Sequence, residues 1–128
     1  MKKAFSKSWN SSKQPRKQRK YIANAPLHIK SKFLHAHLEK ELRDKHQRRS
    51  FRVITGDKVK VMRGQFRGKE GKVERVDMKK GRVYVTKVEK EKIDGSKMMY
   101  PLQPSNLLIT ELKLDDKKRI ARLKRGKK

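Results

Sequence analysis

The sequence predicts a mainly β fold: a small barrel of five short strands, preceded by short helices, followed by one helix, and extended by basic segments at both ends. Three observations carry this. Between residues 51 and 114, apolar and polar residues alternate in short runs, the period of strands with one face in a core. Turn signals separate the runs, at Gly64 and Gly68, Lys79-Lys80-Gly81, Asp94-Gly95 and Pro104-Ser105-Asn106. Charge is also segregated: residues 1–32 hold ten Lys/Arg and no acid, and residues 117–128 hold eight and none, whereas residues 51–114 hold sixteen basic and eight acidic side chains. The centre has the balance of a folded domain, and the ends are polycationic arms.

These shifts divide the chain into a basic arm (1–20), a helical extension (21–50), the barrel (51–114) and a basic C-terminal helix and tail (115–128). The whole carries a formal charge of +26 on 128 residues with 33% apolar residues, against roughly 45–50% in typical globular chains when Gly is included. Self-repulsion should keep the arms disordered alone and let them order on a polyanion. A membrane surface would need an amphipathic helix with a sizeable apolar face, which the arms lack, so nucleic acid is the expected partner. No cysteine is present, which excludes disulfides and thiolate metal sites. No apolar run follows Lys2 and Lys3, and none is long enough to span a bilayer, so neither a signal peptide nor a membrane span is expected and the protein should stay in the cytoplasm.

In chain order, Phe5 and Trp9 stand among Lys, Arg, Ser, Gln and Asn. They read either as idle tail residues or as aromatics that stack on an RNA base or a neighbouring protein. Asn24-Ala25-Pro26 opens a helical region, with Asn24 or Ala25 at the N-cap and Pro26 in the first turn. Leu34, Leu38 and Leu42, spaced by four, give that region an apolar stripe toward the barrel, and Glu39–Arg43 and Glu41–Lys45 are i,i+4 pairs on its other side. A bend near His35-Ala36-His37 divides it into two short helices. Arg48-Arg49-Ser50 then leads into the barrel.

The first strand, 58–62, alternates Val59 and Val61 with Lys58 and Lys60; the second is 72–76. The third, 82–88, turns Val83 and Val85 inward and leaves Val88 out of parity, which predicts a bulge. A charged hairpin loop, 90–95, precedes a fourth strand bearing Met98, Tyr100 and Leu102 on one face, and 107–112 closes the barrel. A core of about sixty residues buries only about 60% of its unfolded surface, so the N-terminal helices should supplement it. Asp115-Asp116 caps the last helix, whose C-terminal Arg122, Lys124 and Arg125 suit the negative end of its dipole. Ile120 and Leu123 give it only a thin apolar side, so it is expected to dock on RNA rather than on the barrel.

Catalytic and metal-binding patterns are missing. His28, His35, His37 and His46 lack carboxylate or thiol partners at ligand spacing. Gly64 to Lys69 looks like a phosphate loop, but three residues separate the glycines and Glu70 stands where a Walker loop needs Ser or Thr. Asp115 and Asp116 are explained by capping rather than acid–base work. No enzyme activity, cofactor, metal or small-molecule substrate is expected.

Binding chemistry is concentrated where the first two strands meet. Arg63, Arg67 and Lys69 place three cations on a short turn held by paired strands, an arrangement that grips phosphates. The run from Gly56 to Val73 resembles the KOW motif: a hydrophobic and basic strand, a glycine (Gly64), an aromatic (Phe66), a basic residue (Arg67), a second glycine (Gly68) and a return strand. KOW motifs imply an SH3-like barrel associated with nucleic acid in the ribosome or in transcription elongation.

Beyond that motif, Asn24-Ala25-Pro26, Leu38-x-Lys40-Glu41-Leu42-Arg43, Arg49-Ser50, Gly56-Asp57-x-Val59-x-Val61-x-Arg63-Gly64 and Pro104-Ser105-Asn106-Leu107 follow in order. Together they resemble the universal large-subunit ribosomal protein family number twenty-four, in its archaeal and eukaryotic form, over roughly residues 20–120. The resemblance implies a structural constituent of the cytoplasmic large ribosomal subunit. Such a protein binds the 5′ region of large-subunit rRNA, supports early assembly and lies near the polypeptide tunnel exit among neighbouring ribosomal proteins.

Carried onto this chain, Arg63, Gly64, Gln65, Phe66, Arg67, Gly68 and Lys69 become the rRNA-contacting loop, and Asn24, His28, Lys30, Lys32, Arg48 and Arg49 add contacts from the extension. The expected set is completed by Lys13, Arg16, Lys17, Arg19 and Lys20 of the arm, Lys60, Lys79, Lys80 and Arg82 of the barrel, and Arg119 and Arg122 of the last helix. The 90–97 hairpin is expected to reach toward the tunnel rim. The rival readings are a KOW module of a transcription elongation factor and a free basic protein that compacts any duplex.

Overall fold

The computed structural model describes residues 5–6, 8–9 and 11–125. The arm is not featureless: Pro15–Asn24 forms helix α1, begun by a proline in its first turn, although it buries no residue. Pro26 then acts as the N-cap of the single-turn helix α2 (Leu27–Lys30), which tightens into a 3-10 turn, Ser31–Leu34. Where a bend between two short helices is expected, near residues 35–37, the chain is extended instead. His35–Leu38 is strand β1, with Ala36 and Leu38 buried and His35 and His37 exposed.

The reason is arithmetic. A spacing of four fits one helical face, but it also fits every second position of a strand, and Leu34, Ala36 and Leu38 follow the second period. Leu42 belongs to a separate helix, α3 (Lys40–His46), which ends where Gln47 takes the left-handed conformation at φ 51°. Arg43 uses its Nε to cap the Leu38 carbonyl at 2.8 Å.

The remaining strands are β2 (Ser50–Arg52), β3 (Lys58–Val61), β4 (Glu70–Asp77), β5 (Arg82–Val85), β6 (Glu89–Glu91), β7 (Lys97–Met99) and β8 (Leu107–Glu111). Six of the eight strands form one sheet in the order β2-β1-β8-β3-β4-β5, and β6 and β7 form a separate hairpin. The protein is thus strand-rich, with the five-stranded closed barrel replaced by a six-stranded sheet whose end strands β2 and β5 do not pair. Beyond β5 only a single bridge, Val83 to Leu102, continues the ladder among the described residues. The extension supplies β1 and β2, and β1 joins β8 in the sheet's parallel pair, with His37 opposite Leu108 and Leu38 opposite Ile109.

Val88 is buried for a reason other than a bulge. Lys87 takes φ 67°, and this tight turn resets the parity. The register irregularities fall instead at Lys58/Val59 and Val73/Arg75. Near the second, Gly71 is needed for space: a Cβ there would run into the Thr86 carbonyl oxygen. The Thr86 hydroxyl receives the Lys72 N–H at 3.1 Å.

The last helix, α4 (Lys117–Lys124), is capped by Asp116, whose carboxylate accepts from Lys118 N at 2.9 Å. It docks on the sheet domain, against the expectation that it would dock on RNA. Leu123 is 2% exposed within the core cluster, and Arg119 is clamped by Asp57. Nη1 and Nη2 of Arg119 each lie 2.7 Å from one Asp57 carboxylate oxygen and also donate to the Lys113 and Arg52 carbonyls. Asp57 accepts Ile54 N at 3.0 Å and Lys113 N at 2.9 Å as well.

Removing one member of a buried ion pair leaves an uncompensated charge, at a cost of about 3–5 kcal/mol. Asp57→Ala should therefore lower the unfolding free energy by about that amount, measured by urea titration. The double change Asp57→Ala with Arg119→Met should cost less than Asp57→Ala alone, because no orphaned charge remains; an equal or larger cost would show that burial of the pair is not the source of the effect.

Candidate nucleic-acid interface

The turn between β3 and β4 is fixed from within. Gly68 N donates to Val61 O at 2.8 Å and Val61 N to Lys69 O at 2.9 Å, and Arg67 N closes the turn onto Gly64 O at 3.2 Å. Gly64 and Gly68 sit at φ 96° and 88°, and a Cβ at either would meet nothing within 4 Å. They are needed for backbone conformation, not for room. Phe66 is half-buried against Tyr100, ring centroids 4.9 Å apart, and Lys69 Nζ lies 5.1 Å above the Phe66 ring. The aromatic expected to touch RNA is thus chiefly the loop's anchor, and Arg63, Gln65, Arg67 and Lys69 are exposed around it.

A second cationic feature lies where the helical extension and α4 meet the sheet domain. A cleft of about 530 Å³ brings His28, Lys32, Arg48 and Arg122 together. His35, Arg52, Lys118 and Arg125 share its walls, and Asp116, already committed to capping α4, is the acid among its lining residues. Arg48 Nη2 donates to the Arg122 carbonyl at 2.6 Å, joining the approach to β2 to α4. Phe51 lies between two guanidiniums, 5.8 Å from Arg48 Cζ and 5.3 Å from Arg119 Cζ.

The cleft is short of negative charge. Among the described residues, the buried Nε atoms of Arg48, Arg52 and Arg119, three of its lining arginines, have no hydrogen-bond partner. The His35 pKa is pushed down by partial burial first, then by Arg48 and Arg52. This arrangement can bind anionic oxygens in several directions. It has no nucleophile–base pair, and among the described residues no group of three or more His, Cys, Asp or Glu could hold a metal ion.

A family model that describes the ribosomal proteins L26 of eukaryotes and L24 of archaea matches residues 12–126. The chain belongs to this family. A protein named large ribosomal subunit protein uL24 from Methanocorpusculum labreanum is 51% identical over 113 residues, covering 88% of this chain and 93% of its own. Its namesake from Methanosphaera stadtmanae is 51% identical over 114 residues, covering 89% and 97%. That from Methanosarcina barkeri is 47% identical over 114 residues, covering 89% and 98%. The family is one of ribosomal proteins, not of enzymes.

In this member of the family the other expected contact residues are dispersed. Lys13 lies just before α1, and Arg16, Lys17, Arg19, Lys20 and Asn24 lie on it, all exposed. Lys30 is half-buried and Arg49 is exposed. Lys79 and Lys80 are exposed on the β4–β5 turn, where Lys80 N donates to Asp77; Arg82 opens β5 half-buried. Lys60 Nζ lies 3.5 Å from Glu70 across the β3–β4 ladder, so a carboxylate already shares its charge. Arg119 is not available to RNA at all, since burial and the Asp57 clamp consume it. The sequence reading missed His35, Arg52, Lys118 and Arg125 of the cleft. Only strand register reveals the first two as neighbours, His35 lying opposite Arg52.

Acidification acts on stability through His35. A folded pKa below the ordinary 6.5 means that the unfolded chain takes up this proton first as pH falls. The stability contributed by His35 is therefore full above 6.5 and is lost as pH drops through that value toward the folded pKa. Urea titrations between about pH 5 and 7 should show wild type losing stability on acidification more steeply than His35→Gln. Parallel pH profiles would remove His35 from the electrostatics of the cleft.

Proposed function

We propose that this protein is a structural constituent of the large ribosomal subunit, held to large-subunit rRNA by the cleft between the helical extension and the last helix and by the β3–β4 loop. The observation that carries this is the cleft, in which six Lys/Arg, besides the Asp57-clamped Arg119, and two His line a common wall with a single Asp. Phosphates bound there supply the missing negative charge and release condensed counterions, so affinity falls with salt by about 0.7–0.9 log units per decade for each contact. A-form grooves hide base edges from side chains, so recognition rests on the fit of a rigid surface to folded RNA.

The family resemblance over residues 20–120 supports a finer reading: the protein binds the 5′ region of the rRNA, acts early in assembly in the cytoplasm and lies near the polypeptide tunnel exit. The β6–β7 hairpin suits a contact with a neighbouring protein there. Ile93 is fully exposed at its tip, and Asp94 stiffens the turn by accepting the Ser96 N–H at 2.9 Å. The relatives' ribosomal names favour this reading over a transcription elongation module. The test is sedimentation of the native protein from a lysate. Co-migration with large subunits that survives several hundred millimolar salt is expected; migration with RNA polymerase, or at the top of a low-salt gradient, would reject the assignment.

Arg63, Arg67 and Lys69 project from a loop whose backbone is fixed by its own hydrogen bonds and glycines. Replacing all three with Ala should therefore weaken rRNA binding and reduce the salt slope by about 2–3 units, while leaving the urea midpoint nearly unchanged. An unaltered slope in filter-binding measurements would remove the loop from the interface.

A further inference from the structure

The aromatic residues of the first quarter of the chain are gathered, not scattered. Tyr21 is their centre: its ring centroid lies 5.0 Å from Phe5, 5.5 Å from Trp9 and 6.1 Å from Phe33, with interplanar angles of 40°, 47° and 63°. A hollow of about 270 Å³ opens beside Phe5, Trp9 and Tyr21, and Ser6, Lys17, Lys20 and Asn24 complete its lining. Lys17, Lys20, Tyr21 and Asn24 follow the i, i+3, i+4, i+7 spacing of one helix face, so α1 presents all four together. The hollow is separate from the main core, to which α1 contributes no buried residue.

Its chemistry selects among occupants. Lys17 and Lys20, in a stretch of 32 residues without an acid, repel a cation that would otherwise suit an aromatic cage. An aliphatic side chain would use the rings but neither the lysines nor the Asn24 amide, which makes no hydrogen bond among the described residues. A nucleobase uses all three: its faces stack on the rings, its flanking phosphates pair with the ammonium groups, and its edge meets an amide that both donates and accepts. The geometry points to a receptor for one unstacked base of single-stranded or bulged RNA. The inference rests on the RNA-binding function proposed above.

Trp9 is the only tryptophan, so its emission reports on this hollow alone. The full chain is titrated at fixed salt with a short single-stranded RNA, an abasic ribose-phosphate strand of equal length, and a matched RNA duplex. The single strand should quench Trp9 emission, whereas the abasic strand and the duplex should bind through their phosphates without quenching. Tyr21→Leu should weaken single-strand binding roughly tenfold and leave duplex binding unchanged; an unchanged urea midpoint confirms that the variant is folded. Equal affinity for intact and abasic strands, or binding without a change in Trp9 emission, overturns the base receptor while RNA binding stands. If none of the three binds even at low salt, the RNA-binding function falls and the receptor falls with it.

Discussion

The contact on which the working surface depends is the buried pair of Asp57 and Arg119. Asp57 is fully buried, and its carboxylate gathers Ile54 N, Lys113 N and both terminal nitrogens of Arg119. Burying two charges costs several kcal/mol each before their attraction is counted. Here that cost is offset by a bidentate geometry that satisfies both carboxylate oxygens and by the Lys113 and Arg52 carbonyls, each of which accepts a further hydrogen from Nη1 or Nη2. With α4 fixed in this way, Leu123 enters the core, and Arg122 and Arg125 are held on the wall of the cleft. In a chain of charge +26, one of thirteen acids thus anchors a segment that would otherwise be repelled from the domain.

The cleft carries the opposite imbalance. It brings together cations from the helical extension, β2 and the last helix, which lie far apart in the sequence, and lines them with a single acid, Asp116. Three lining arginines whose buried Nε atoms lack a hydrogen-bond partner among the described residues, and a histidine held toward its neutral form, mark an excess of positive charge in the cleft. Under the proposed function, phosphate bound there would offset that excess, so RNA binding would favour the folded arrangement.

Much of the sheet is legible in local pattern. Val59 and Val61 alternate with lysines, Pro104-Ser105-Asn106 makes a 3-10 turn, and Asp116 caps the last helix, because each depends on residues within a few positions of one another. What is not legible depends on distance. β1 hides because Ala36 is too small to mark the strand period against the leucine spacing, and β2 has only one buried side chain, Phe51. The β1–β8 pair joins segments about seventy residues apart, and nothing in either segment names the other. Arg119 stands in a run of basic residues and differs from them only in its partner, sixty-two positions away. The loop cations were legible because turn chemistry and charge coincide there; the cleft was not, because register and docking create it.

The two basic sites differ in how they meet the entropy of binding. The loop is restrained at both ends, by the Val61–Lys69 and Gly68–Val61 hydrogen bonds on one side and, on the other, by Gly71, which lets β4 lie close against Thr86. Phe66 on Tyr100 pins its middle. Arg63, Arg67 and Lys69 therefore start from a backbone that needs no ordering, and only their side-chain rotamers are lost on contact with phosphate. The lysines and arginines of α1 sit on a helix that buries none of its own residues and is held by the aromatic contacts around Tyr21 and a hydrogen bond from Gln18 Nε2 to the Ser12 carbonyl. Under the proposed function, equal charge in the two places should not give equal affinity: the loop would fix register on the RNA, while the arm would supply attraction that salt screens away.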